Sequence, residues 1–135
     1  IVYTQRDPLD NCLSVYFQQL GGALSYSTNL GDIAHYYRQH ERLMSHWQAC
    51  MADNIRTVVY EELVRDPETV VRRLLDFLEL EWDERCLDFT GAANLVKTAS
   101  VWQVREGLHS NAAGRWRNYE SRLGGILEQF GSGSG

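Results

Sequence analysis

Ile1-Val2-Tyr3-Thr4-Gln5-Arg6-Asp7-Pro8, continuing from Leu9 to Leu20, is the stretch whose reading decides the fold. Ile1–Gln5 carries residues that favour a pleated strand. Asp7 then offers an N-cap oxygen, and Pro8 suits the first helical position, where its missing N–H costs nothing. Leu9, Leu13, Tyr16, Phe17 and Leu20 recur at helical spacing and mark an expected buried face. Arg6 lies at the expected carboxyl end of the strand, the edge at which open α/β sheets bind ligands. A guanidinium offers forked donors to phosphate oxygens, and the Ser14 hydroxyl on the following helix adds one more. On spacing alone, an arginine paired with a nearby carboxylate and a serine facing solvent is the commoner arrangement. A ligand-binding junction at the first residues of an α/β chain predicts further sequence upstream.

Working outward, Gly21-Gly22 ends the first helix, and a polar loop through Ser25, Ser27 and Asn29 follows. A long helix is expected from Asp32 to Met51, with Ile33, Tyr36, Tyr37, Met44, Trp47 and Met51 as its apolar stripe. Arg56-Thr57-Val58-Val59-Tyr60 reads as a second buried strand. Glu61–Val64 is expected to turn. Asp66-Pro67 then opens another helix, whose core face carries Val70, Val71, Leu74, Leu75 and Leu78. A short helix over Asp83–Phe89, a loop over Gly91–Thr98 and a helix from Arg115 to Glu128 complete the reading. Arg-Asp-Pro recurs at Arg65, but that copy follows a polar turn and takes the capping role only. Strands separated by helix pairs imply βαβ connectivity and a parallel sheet. Two strands cannot make a doubly covered parallel sheet alone. The expectation is a helix-dominated α/β chain with a small sheet, or one to which a second copy supplies strands.

The 135 residues suffice for one domain with a core, at 44% hydrophobic and 23% charged residues. A net charge of −5 argues against a general nucleic-acid or polybasic membrane-binding protein. Cys12, Cys50 and Cys86 are far apart and form no CxxC or Cys/His cluster, so neither metal ligation nor a disulfide framework is expected. That pattern suits a reducing, cytoplasmic setting. No apolar run reaches membrane-span length. Gly131-Ser132-Gly133-Ser134-Gly135 reads as a flexible linker or tag, which leaves 1–130 as the folded segment.

Three places carry candidate chemistry. Arg6 and Ser14 are the first. Tyr60, closing the second strand at the same sheet edge, could stack on a base, although a boundary tyrosine with its ring in the core is commoner. In the third, Lys97, Arg105, Arg115 and Arg117 gather positive charge in an acidic chain, with Ser100 and Gln103 as neutral donors. Such a segment suits an anionic ligand or, equally, a solvated loop pinned by Trp102 and Trp116. His35, His40, His46 and His109 lack metal-ligand spacing, and no G-x-x-x-x-G-K-[ST] or G-x-G-x-x-G occurs. No catalytic base is evident.

Taken in order, Arg6-Asp7-Pro8-Leu9-Asp10-Asn11-Cys12-Leu13-Ser14, Val59-Tyr60-Glu61-Glu62-Leu63-Val64 with Pro67, Leu74-Leu75-Asp76-Phe77-Leu78 with Trp82, Ser100-Val101-Trp102-Gln103-Val104, and Gly114-Arg115-Trp116 resemble the carboxyl-terminal half of a sulfotransferase. The likeness is to the bacterial type joined to tetratricopeptide repeats and, at longer range, to protein-tyrosine sulfotransferases. It implies a partial P-loop-kinase-like fold with about two parallel strands and about four to six helices. It also implies the cofactor 3′-phosphoadenosine 5′-phosphosulfate (PAPS) or its product 3′-phosphoadenosine 5′-phosphate (PAP). Arg6 and Ser14 match the grip on the 3′-phosphate, Tyr60 the tyrosine near the adenine, and Ser100 and Arg115 the late loop that closes on the nucleotide. The family's 5′-phosphosulfate loop and catalytic base have no counterpart, and Gln18 stands where protein-tyrosine relatives place an arginine. The expectation is a nucleotide-binding fragment inactive by itself. The alternative is a non-enzymatic module that dimerises through an exposed sheet edge.

Overall fold

Val2–Gln5 forms β1 and Arg56–Val59 forms β2, each rich in the β-branched and aromatic residues that suit a pleated surface. The computed structural model describes residues 1–18, 22–88 and 113–130. The strands pair in parallel, with Val2 opposite Arg56 and Gln5 opposite Val59. Parallel pairing requires a long crossover. Two helices supply it in sequence, α1 (Pro8–Gln18) and α2 (Leu30–Cys50). After β2 come α3 (Tyr60–Arg65) and α4 (Pro67–Phe77), and the last helix is α5 (Gly124–Phe130). The chain is thus a helix-dominated α/β protein with a two-stranded parallel sheet and, among the described residues, five α-helices.

The described residues fall into two compact units. In the strand unit, the Ile1 ammonium donates to the Asn54 carbonyl at 2.7 Å, and the Arg56 amide donates to the Ile1 carbonyl at 3.0 Å. Tyr60, expected to end β2, starts α3 instead, and the turn expected over Glu61–Val64 is helical. Glu61 and Glu62 in the first turn and Arg65 in the last complement the helix dipole. Asp66 ends α3 and begins α4, where its carboxylate accepts the Thr69 amide at 3.3 Å. Val70 is buried on α4. Glu79 closes α4 with φ of 56°, and the Leu80 amide reaches back to the Leu75 carbonyl. Glycine usually takes that left-handed position. A short 3₁₀ turn at Glu84–Leu87 stands where a helix over Asp83–Phe89 was expected.

The helical unit holds the larger core. Leu9, Cys12 and Leu13 of α1 pack with Ile33, Ala34 and Tyr37 of α2, and with Leu123 and Ile126. Asn29 caps α2 by accepting the Gly31 and Asp32 amides at 2.8 and 3.1 Å, which moves its start ahead of the expected Asp32. The expected apolar stripe of α2 is buried only near its start. Ile33 and Tyr37 are inside, whereas Tyr36 is 56% and Trp47 42% exposed. On α1, Tyr16 and Phe17 are also exposed, and Leu20 lies outside the described residues. The single helix expected from Arg115 to Glu128 is instead a 3₁₀ segment, Arg115–Arg122, followed by α5. The break falls at Leu123, just before Gly124-Gly125, whose helix propensity is the poorest after proline. The tail 131–135 lies outside the described residues.

Candidate functional site

Asp7 and Pro8 close the first turn of α1. The Asp7 carboxylate accepts the Leu9 and Asp10 amides at 2.8 and 3.0 Å, and the Asp7 carbonyl accepts the Asn11 amide at 2.9 Å. The leading donors of the helix are therefore engaged, and an anion here must be held by side chains. Arg6 stands immediately before this cap. Its carbonyl accepts the Tyr37 hydroxyl at 3.0 Å. Tyr37 is only 8% exposed and meets the Phe130 ring edge-on at 5.7 Å. A buried, immobilised phenol on α2 thus fixes the backbone from which the Arg6 side chain departs.

Asp10 lies one helical step further on and is 2% exposed. Its two carboxylate oxygens accept the Gly114 amide at 2.5 Å and the Trp116 amide at 2.8 Å. Burying a carboxylate is expensive without such donors. These two bonds bring a segment from the far end of the sequence onto α1. Gly114 has φ of 72°, and a Cβ there would collide with the Arg117 guanidinium. The guanidinium, at the end of an exposed side chain, can swing away, so the strain of a side chain here comes from the left-handed backbone.

Arg115 is held between the two bonded amides. Its guanidinium lies over the Phe17 ring, 5.3 Å from the centroid, and Phe17 meets Tyr119 edge-on at 5.4 Å. Asp10, Ser14 and Phe17 stand at i, i+4 and i+7, so they form one stripe of α1. Ser14, half-buried, sits between the two points at which the 114–119 turn touches that stripe. Among the described residues no ion pair involves Arg115, whereas Arg72 pairs with Glu68 and Arg85 with Asp83. The donors of Arg115 are exposed and supported on an aromatic face.

Cys12, on the opposite side of α1 from this stripe, is fully buried. Burial, with Glu41 and Asp7 adding negative charge, pushes its thiol up to about 12. It is a neutral core group near pH 7, not a nucleophile. No group of three or more His, Cys, Asp or Glu among the described residues could hold a metal ion. No helix among them is long and apolar enough to cross a membrane.

Of the residues expected from sequence, Arg6, Ser14 and Arg115 lie in the helical unit, immediately before, on and against α1. Tyr60 is in the strand unit, half-buried at the first turn of α3. Ser100 lies outside the described residues, as do Lys97, Trp102, Gln103 and Arg105. Sequence reasoning missed two residues that organise the site, Asp10 and the hydroxyl of Tyr37. For Asp10 a signal existed: its carboxylate shares the helical phase of Leu13, Ser14 and Phe17, and an acid there needs a partner.

The model of the sulfotransferase family matches residues 1–84, which include β1, the Arg6–Pro8 elbow, α1, β2, α3 and α4. The chain belongs to the sulfotransferase family. An uncharacterized protein of Aquifex aeolicus (strain VF5) is 34% identical over 131 residues, covering 95% of this chain. The chain spans 17% of that relative's length. Arg115 and the turn that carries it lie beyond the residues matched to the family.

Proposed function

We propose that this sulfotransferase-family chain binds the 3′-phosphoadenosine part of PAPS and PAP, with Arg6, Ser14 and Arg115 as the grip on the 3′-phosphate. The observation that carries the reading is the docking of the 114–119 turn on α1. It sets a guanidinium without an ion-pair partner among the described residues beside the helix stripe that carries Ser14. A phosphate monoester matches that donor set in charge and geometry. The reading extends to Tyr60 beside the adenine and to Ser100 as a further donor, on the resemblance in the sequence alone.

Calorimetric titration of PAP into the chain tests the reading, with adenosine 5′-phosphate as the ligand that lacks the 3′-phosphate. PAP should bind at least about tenfold more tightly, the worth of one or two charge-assisted hydrogen bonds. Arg6→Ala should narrow that preference to the part that Ser14 and Arg115 still supply. The reading fails if the parent gives no heat with PAP, or if Arg6→Ala leaves the preference intact.

A further inference from the structure

The geometry points to Asp10 as a positioning residue for Arg115: the buried carboxylate presents the arginine to the anionic ligand without touching the ligand itself. This rests on the nucleotide-binding reading above and deepens it. Both oxygens of Asp10 are committed to the main chain on either side of Arg115, at Gly114 and at Trp116. Two bonds to alternate amides fix the direction in which the intervening side chain leaves the backbone. Gly114 supplies the left-handed backbone, at φ of 72°, from which the turn starts. Phe17, two turns along the same stripe of α1, then supports the guanidinium by its face. Arg115 is thereby held at the base and at the tip.

The cost of burying Asp10 supports the assignment. A carboxylate that is 2% exposed could be replaced by an apolar residue of similar size if its role were only to fill the core. What an apolar residue could not supply is a pair of acceptors for the amides flanking Arg115. The turn belongs to a chain segment more than one hundred positions away in sequence, 104 residues at Gly114 and 106 at Trp116. Its place on α1 therefore depends on such a specific tie. A pre-set guanidinium loses less freedom when it meets a phosphate, and the advantage appears as affinity.

A double-mutant cycle on PAP affinity in the full chain tests this, using Asp10→Asn, Arg115→Ala and the pair together. Asn keeps one acceptor oxygen and nearly the same volume, but it turns an N–H₂ toward the second amide. Asp10→Asn should weaken PAP by nearly the same factor as Arg115→Ala, about tenfold. The pair should then be no weaker than Arg115→Ala alone to within about twofold. Combined with Arg6→Ala, the same Asp10→Asn change should keep its whole effect. General damage to the fold would instead lower affinity equally in every background. Gly114→Ala disturbs the same turn while leaving the carboxylate in place, and it should show the same dependence on Arg115. It decides the matter should Asp10→Asn fail to fold. Parent-like affinity in Asp10→Asn beside a weakened Arg115→Ala overturns the role of Asp10 and leaves the nucleotide reading standing. Absence of PAP binding by the parent removes both.

Discussion

At Arg6-Asp7-Pro8 and again at Arg65-Asp66-Pro67 the same tripeptide opens a helix, with proline in the first turn and aspartate as the cap. The surroundings differ. The first copy follows β1, its arginine carbonyl is held by Tyr37, and its helix buries Leu9, Asp10, Cys12 and Leu13. The second follows a six-residue helix, its arginine is the exposed last residue of that helix, and α4 buries only Val70. Asp-Pro therefore encodes a helix start and nothing more. Whether the preceding arginine is tied to the core or left on an exposed helix end depends on what lies before it and on what the helix packs against.

The largest effect expected from this contrast is on stability. Leu13 is 3% exposed, and Leu13→Ala should cost about 3 kcal/mol, the usual range for a buried leucine. Val70 is 9% exposed and smaller, so Val70→Ala should cost about half as much. Urea unfolding followed by circular dichroism measures both, and equal losses would erase the contrast between the two helices. Tyr37→Phe comes next. It removes only the hydroxyl that donates to the Arg6 carbonyl, a part-buried bond at 3.0 Å. About 1 kcal/mol should be lost, with PAP affinity falling a few-fold as the elbow loosens. A Tyr37→Phe protein with the parent's midpoint and affinity would mean that the first arginine needs no support.

How much was legible in advance follows from how local each signal is. The two strands, the Asp-Pro helix starts and the length of α2 rest on neighbouring residues, and they read directly. α3 did not, because its six residues hold a single helical repeat, Tyr60 with Leu63 and Val64, and Val59 offers no side-chain cap. The division of the last helix at Leu123 was hidden because its aromatic and arginine residues suit either helix type, while the glycine pair that decides it follows the break. Of the residues proposed for the site, Arg6, Ser14 and Arg115 were named from the sequence as candidates. Asp10 was passed over despite its helical phase, because an acid in the first turn of a helix ordinarily serves the dipole. Its real partners are two amides that only tertiary folding delivers. The exposed half of the α2 stripe misled for the same reason: periodicity shows which residues share a face, not whether anything covers it.

The smallest effect separates the copies by pH. The hydroxyl of Thr69, and then its amide, bond the Asp66 carboxylate and hold its carboxyl below the ordinary carboxylate value. A folded-state value lower than the unfolded one means that the unfolded chain takes up the proton first as pH falls. The contribution of Asp66 is therefore complete above the unfolded carboxylate range, near pH ~4, and it is lost as pH drops through the lower folded value. Thermal midpoints of the parent and Asp66→Ala should differ by a small constant amount from about pH 7 to about pH 5 and converge below about pH 3. A gap that persists unchanged in acid would mean that Asp66 acts through something other than its charge. PAP affinity should not move in Asp66→Ala at any pH, because this cap serves only the helix it opens. A measurable loss there would break the distinction between the two tripeptides at its root, by giving the second copy a share in the proposed ligand site.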